Sequence, residues 1–383
     1  MQASSVLAAI FGIGAACGFG YYTFCLRSAR DFLKQRPAPP SFTPPVSILK
    51  PLKGTDPGMY ESFRSHCLQA YPEYEIIFGV SDPSDPALEL VRRVQSEFPH
   101  VPIRIVVCTR ILGTNVKVSN LVQMLNEAIY DHVVVNDSDI RVPGDYLRCV
   151  LAPMADAKVG LVTCLYRGIP GRSLGSRLEA IGIETDFMGG VLAARSLEHG
   201  IRFGLGSTLA FSKSVLREIG GLEPLLDYLA DDYELGARVA AASREVALAD
   251  VVVETHLPDY KFVPFFRHQL RWARTIRDRR RWGYAGLLLT FGLPWALLAV
   301  IFSYGAWQAW LLLLIVAARR FSAAAFLCTR VLRDRRILHD FWLIPLRDVV
   351  AVLVWLGSFA GRTVSWRGHS FLLKNGKLVR INP

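Results

Sequence analysis

Apolar and polar positions divide this chain into two apolar ends and a middle in which short apolar runs alternate with amphipathic ones. Val6–Leu26 is uncharged and close to the ~20 residues a helix needs to cross a bilayer core. Arg27, Arg30, Lys34 and Arg36 follow it. A cleaved secretory signal carries its charge before the apolar run, so this order predicts an uncleaved anchor. The flanking charge places the N-terminus outside and the rest of the chain in the cytoplasm. A second apolar region runs from Tyr284 to Ala360. Tyr284–Tyr304 predicts a span. Ala306–Ala318 is short and stops at Arg319-Arg320, with Phe321–Thr329 beyond. Phe341–Ala360 holds Pro345, Arg347 and Asp348, and charges at mid-membrane are costly. A plain crossing is therefore not expected there. The flanks Arg330–Arg336 and the tail (Arg362, Arg367, Lys374, Lys377, Arg380) are both basic and both belong inside. A re-entrant or interfacial hairpin between them satisfies that rule.

Between the apolar ends the period changes. Lys34–Pro45 is proline-rich (Pro37, Pro39, Pro40, Pro44, Pro45) and reads as a stiff linker. Strands are expected at Val46–Leu49, Glu75–Val80, Ile103–Val107 and His132–Asn136. Helices are expected at Met59–Ala70, Ala87–Phe98 and Val116–Ile129. Such alternation predicts an α/β domain with a mostly parallel sheet. In such sheets ligands bind beyond the carboxyl ends of the strands. The chain thus divides into an anchor (1–33), the linker (34–45), a catalytic domain (46–260), a basic amphipathic interfacial helix (261–283), membrane segments (284–361) and a basic tail (362–383).

The apolar fraction of 51% fits membrane segments, as does the mean hydropathy of +0.28. The net charge of +11 lies largely beside apolar runs, where it meets anionic headgroups. No nucleic-acid motif accompanies it, so no nucleic-acid partner is expected. The seven cysteines are scattered without a CxxC or a Cys/His cluster, which predicts isolated thiols in a reducing compartment. Pro51-Leu52-Lys53-Gly54 follows the first strand where a dinucleotide fold would carry GxGxxG, and there is no Walker lysine loop.

Acidic residues stand at the ends of the expected elements. Asp137 and Asp139 are two apart on extended chain, so both carboxylates can face one way. Two hard oxygen ligands suit Mg²⁺ or Mn²⁺; a solvated turn is the other reading. Asp82 ends a strand and suits a ribose or base hydrogen bond, or serves as a turn acid. Lys50, Lys53 and Lys117 either face phosphate or base, or are solvated. Asp231-Asp232 opens a helix, where a carboxylate also suits the helix dipole. One side chain does the capping, so the other is a candidate general base. Ser207, in Gly204-Leu-Gly-Ser-Thr-Leu-Ala210, lies near a donor sugar or simply at a tight strand entry. Helical spacing sets His268, Arg271 and Trp272 on one face. An arginine fork matches a diphosphate, while the surrounding arginines also suit a membrane-surface helix.

These residues, in this order, resemble the inverting family 2-type glycosyltransferases with a GT-A fold. Within them they resemble the ceramide glucosyltransferase group and its bacterial hopanoid-associated branch. The resemblance spans about Val46 to Arg281 and rests on Asp82, Asp137 with Asp139, Asp232 and His268-x-x-Arg271-Trp272. Lys50-Pro-Leu-Lys-Gly54, Ser138-Asp-Ile-Arg-Val142 and Ala230-Asp-Asp-Tyr233 add to it. It implies a Rossmann-like, mostly parallel GT-A sheet with membrane helices at both ends. It also implies a UDP-sugar donor, a membrane-lipid acceptor and a divalent cation, with Lys50, Lys53, Asp82, Lys117, Asp137, Ser207 and Asp231 toward the donor. Asp232 is then the base, Arg271 steadies the leaving diphosphate, and Trp272 and His268 shape the acceptor mouth. His268 stands where the family pattern has Gln or Arg, a departure that bears on the acceptor. The expected acceptor is that of the bacterial branch, which implies an inner-membrane enzyme transferring N-acetylglucosamine to a hopanoid polyol of the bacteriohopanetetrol type; the alternative, the ceramide group, implies glucose on ceramide. A processive polysaccharide synthase would need more spans, and a non-catalytic UDP-sugar-binding scaffold would have no use for Asp232.

Overall fold

The computed structural model describes residues 2–34, 42–366 and 369–381. Pro37, Pro39 and Pro40 of the linker, with Arg36 and Arg367, lie outside the described residues. The chain forms two compact units. One is an α/β unit of Arg36–Ile169, Leu197–Pro258 and Gly376–Pro383. The other is a helical unit of Met1–Gln35, Pro170–Ser196 and Asp259–Asn375.

The α/β unit is built on eight strands: β1 Val46–Pro51, β2 Tyr74–Val80, β3 Ile103–Val107, β4 His132–Val135, β5 Ile140–Arg141, β6 Val159–Ile169, β7 Leu209–Ser212 and β8 Glu245–His256. Their order is β3-β2-β1-β4-β7-β6-β8-β5. The expected strands lie within about two residues of β1 to β4. They pair in parallel, β1 with β2 and β4, β2 with β3. Crossover helices Met59–Cys67, Ala87–Glu97 and Val116–Glu127 return the chain between them. The sheet is mixed beyond this: β7 runs antiparallel to β4 and β6, and β5 to β8. β1 and β4 are neighbours from which the chain departs in opposite directions, so their carboxyl ends form the switch-point crevice where ligands of such sheets sit. Leu49, Ile77, Val133 and Val135 on the strands pack with Leu121 and Met124 in one core cluster. The close fit of helix to sheet depends on Gly79, where an added Cβ would lie 2.2 Å from the Met124 sulfur.

Three helical stretches in the helical unit are long and apolar enough to cross a membrane among the described residues: Ser4–Lys34, Trp307–Val331 and Arg336–Ser358. The first contains the expected anchor. The expected span Tyr284–Tyr304 falls on two helices, Arg281–Thr290 and Gly292–Phe302, which meet at a 54° bend, the shape of a broken span or re-entrant loop. Gly292 and Pro294 explain the break, since glycine weakens a helix and proline lacks the N–H of a continuous one. Two expectations are corrected. Ala306–Ala318 does not stop at Arg319-Arg320 but continues in the helix Trp307–Phe326. Phe341–Ala360, not expected as a crossing, contains the helix Ile344–Ser358 and lies largely within a spanning candidate. The reason is one charge cluster. Arg320 donates to Asp348 at 2.8 and 3.2 Å and to Asp186 at 2.5 Å, and Arg347 lies 3.6 Å from Asp186. Paired in this way, charges can be carried inside apolar helices. Small residues allow the first helix to touch the bent pair: a Cβ on Gly18 would lie 2.3 Å from the Gly292 Cα.

Candidate functional site

In the α/β unit the site grows from the ends of β1 and β4. Beyond β4 the chain turns through Asn136, Asp137, Ser138 and Asp139. Asn136 is fully buried and ties the turn down. Its amide donates to the Tyr146 hydroxyl at 2.8 Å and to the Ser207 carbonyl at 2.7 Å, and its Oδ1 lies 3.2 Å from Nε2 of His66. Lys50 at the end of β1 is fully buried beneath the turn. Its Nζ donates to the Asp137 carbonyl at 2.9 Å, and burial pushes its ammonium down to about 7. Ser138 donates to Asp56 at 2.6 Å and Thr255 to Asp139 at 2.5 Å. Lys50 therefore braces the acidic turn from below.

The second acidic pair starts the helix Asp231–Ala241. Its two members have different partners. Asp231 is buried, 3.3 Å from Nδ2 of Asn115 and 3.5 Å from Nζ of Lys117. Lys117 also lies 2.7 Å from Oδ1 of Asp137, joining the two motifs. Burial alone would lower its ammonium, but the carboxylates of Asp137 and Asp231 outweigh that and raise it. Among the described residues Asp232 accepts only from its neighbour's backbone, the Tyr233 N–H at 2.7 Å. Burial first, then the charge of Asp231, pushes its carboxyl up to about 6 against the pull of Lys117. Two adjacent carboxyls with different charge partners are the pattern of an assigned acid–base pair.

A loop brings Asp232 and Asp137 toward one point. The Gly236 Cβ position falls 2.4 Å from the Gly204 nitrogen, so helix and loop meet backbone to backbone. Two residues on, a Cβ at Gly206 would lie 3.1 Å from Oδ2 of Asp232 and 3.4 Å from Oδ2 of Asp137. Gly206 leaves that point open. The next residue, Ser207, is 4% exposed and its hydroxyl has no hydrogen-bond partner among the described residues. A buried donor left unpaired is costly, so a ligand oxygen at this place would relieve it.

Asp137 and Asp139 are chemically suited to a divalent cation. Burial, then the charge of Asp137, pushes the Asp139 carboxyl up to about 6. Among the described residues no three His, Cys, Asp or Glu side chains converge as ligands. A cation held by one or two carboxylates with phosphate oxygens and water is the usual pattern for Mg²⁺ sites.

The structure gathers Lys50, Lys117, Asp137, Asp139, Ser207, Asp231 and Asp232 around the two acidic motifs. It does not join Asp82 or Lys53 to them by a direct contact. Asp82 is exposed and accepts from the Ser84 backbone and hydroxyl at 2.8 and 2.6 Å; those bonds hold its carboxyl below the usual range. Lys53 is exposed on the loop after β1. That loop is fastened by Asp85, whose carboxylate accepts from the Gly54 N–H at 2.9 Å. Sequence reasoning missed Asp56, Asn115, Asn136, Gly206 and Thr255. Asn115 had a signal, since it caps the helix Val116–Glu127; the others depend on contacts distant in sequence.

His268, Arg271 and Trp272 lie on the helix Phe262–Arg279 of the helical unit. The His268 ring meets Trp272 edge-on at 5.2 Å, and Trp272 lies 6.1 Å from Phe187. Arg274 and Arg277 on this helix donate to carbonyls at the end of Ile344–Ser358 and just beyond it, satisfying acceptors that a helix terminus leaves open.

Comparisons with known proteins agree with this architecture. The model of glycosyl transferase family 21 matches residues 10–379. Ceramide glucosyltransferase 1 of Caenorhabditis elegans is 24% identical over 363 residues, 91% of this chain and 76% of its own length. A ceramide glucosyltransferase of Komagataella phaffii is 34% identical over 128 residues, 32% of this chain and 25% of its own length. Among solved structures, a Pyrobaculum calidifontis mannosyltransferase in complex with GDP-Man and Mn²⁺ superposes with a TM-score of 0.55. It is 20% identical and aligns over 91% of this chain and 99% of its own. The sheet and helices are thus of GT-A type.

Proposed function

The chain belongs to glycosyl transferase family 21, and on that premise we propose that it moves a hexose from a UDP-sugar to a hydroxyl of a membrane lipid with inversion. As a member of that family it is a hexose-transferring enzyme with membrane-length helices. The observation that carries the mechanism is the asymmetry of Asp231 and Asp232. Asp231 has Lys117 and Asn115 as partners, whereas Asp232 has a carboxyl raised to about 6 beside the open point at Gly206. A carboxylate so placed suits a general base near neutral pH.

In the reaction, the lipid hydroxyl oxygen bonds to the anomeric carbon as the bond from that carbon to the UDP oxygen breaks. UDP leaves with the electron pair, and the hydroxyl proton passes to Asp232. Lys117 holds the donor end and pairs with Asp231, and Ser207 offers its hydroxyl to the sugar. In this reading the diphosphate role falls to Arg271 as a charged fork, and the acceptor roles to Trp272 and His268. Mg²⁺ or Mn²⁺ bound by Asp137 and Asp139 would supply positive charge at the leaving diphosphate. Lys50, Lys53 and Asp82 belong to the donor side of this reading, Lys50 through its support of the Asp137 turn. A lipid reaching the site from its own bilayer gains by proximity. The catalytic unit faces the cytoplasm at a bacterial inner membrane.

Ceramide, with glucose as the sugar, is the acceptor favoured by the names of the relatives. A hopanoid polyol receiving N-acetylglucosamine is the second reading, and it rests on the resemblance to the bacterial branch alone. The test is incubation of the detergent-solubilised chain with Mg²⁺ or Mn²⁺, pairing UDP-glucose and UDP-N-acetylglucosamine in turn with ceramide and bacteriohopanetetrol. Mass spectrometry reads the lipids, and chelation by EDTA abolishes any product. One metal-dependent glycolipid selects the donor and acceptor. UDP-sugar binding with no product in any pairing overturns the lipid-transfer reading.

A further inference from the structure

We infer that Glu179 is the positioning residue of the acceptor subsite: it orients His268 so that the imidazole receives a hydroxyl of the lipid headgroup. The inference rests on the lipid-acceptor reading above and adds a residue to it. Glu179 lies on the helix Leu174–Ile181, 2% exposed. Its Oε1 is 3.1 Å from Nδ1 of His268. Its Oε2 is buried with no hydrogen-bond partner among the described residues. Arg177, the nearest cation on the same helix, is taken by Asp340 at 3.0 Å. His268 is therefore the ring partner of a buried carboxyl group, and that contact fixes the ring orientation.

The ring is held on other sides as well. The Tyr260 hydroxyl lies 3.4 Å from the same Nδ1. The Tyr260 ring lies 6.0 Å from the imidazole, and Trp272 closes another edge. Nδ1 thus faces Glu179 and Tyr260, while Nε2 has no protein partner among the described residues. With Nδ1 engaged by Glu179, Nε2 is the ring atom left to meet a ligand. A hydroxyl, which both donates and accepts, is the ligand group that matches it. The carboxylate behind the ring disfavours a phosphate there. Glu179 acts through His268 and does not itself touch substrate.

The test uses the full chain in detergent with the acceptor that gives product. Glu179→Ala should raise the acceptor KM about tenfold, the scale of one well-placed hydrogen bond. Its donor KM and its UDP affinity should stay within about twofold. Glu179→Gln keeps an oxygen for Nδ1 and should recover most of the loss. Unchanged acceptor KM in Glu179→Ala, or donor and acceptor KM rising together, overturns the inference. If no acceptor gives product, lipid transfer fails and the subsite is read directly by diethyl pyrocarbonate labelling of His268. The probes are a short-chain ceramide and a hopanoid polyol, each beside its peracetylated form. Protection by a free-hydroxyl lipid alone, lost in Glu179→Ala, sustains the subsite. Absent protection, or equal protection by the acetylated form, sinks it.

Discussion

Lys117 and Asp137 form an ion pair of 2.7 Å that joins two acidic motifs more than ninety residues apart in the chain. The same ammonium reaches Asp231, so one cation offsets the acid on either side of the open point at Gly206. Lys117→Met removes that charge. UDP-sugar affinity should fall about tenfold, as for loss of one charge-assisted bond, read by calorimetry. Lys117 also pulls the Asp232 carboxyl down. In its absence the acid limb of the pH–rate profile should move to higher pH.

Asp232 is active as a base only when ionised, and its carboxyl sits near about 6. The folded value lies above the ordinary one, so protonation persists to higher pH than usual. Turnover should therefore rise with pH across about 6 and level off above it. Asp232→Asn should lower kcat by about 10²–10⁴-fold, the range of positioned acid–base catalysis, while UDP-sugar binding is kept. Full activity in that variant would remove Asp232 from the role.

Gly206→Ala is a steric test of the same point. Its new Cβ would meet Asp232 and Asp137 oxygens at 3.1 and 3.4 Å. Both carboxylates must give way, so kcat should fall at least about tenfold, since small misplacements of reacting groups are costly. The thermal unfolding midpoint in detergent should hardly change. A variant that loses stability as well as activity would show that Gly206 serves the fold.

Arg320 is predicted to be structural. Replacing it by Leu leaves the buried Asp348 without its cation and Asp186 with Arg347 alone. Breaking a buried pair from one side costs about 3–5 kcal/mol, enough to lower the unfolding midpoint markedly in a detergent melt. Adding Asp348→Leu should restore part of the loss, because two apolar side chains can replace a buried pair. No recovery in the double variant would point to a role beyond pairing.

Elements read well from sequence where the signal is local. Val133-Val134-Val135 announces a buried strand, and its end places Asp137 at the switch point. Val116–Glu127 begins one residue after its cap, Asn115. Legibility failed where distant pairing decides the outcome. Asp348 looked too costly for a crossing helix, because Arg320 lies 28 residues away in sequence and only the fold pairs them. The 11-residue strand Val159–Ile169 was missed; it is buried along nearly its whole length, so no alternation betrays it. Asp82 carried the first motif of the resemblance, yet its local bonds to Ser84 are those of a turn acid.

By itself the sequence determined the α/β class, the apolar ends and the order of the acidic motifs, since period and composition act over a few residues. The tertiary structure decided which acid of Asp231-Asp232 is paired, that Lys50 lies under the turn, and that Glu179 stands behind His268. Those outcomes depend on contacts between residues far apart in the chain, where burial and charge pairing set the energy and local pattern is silent.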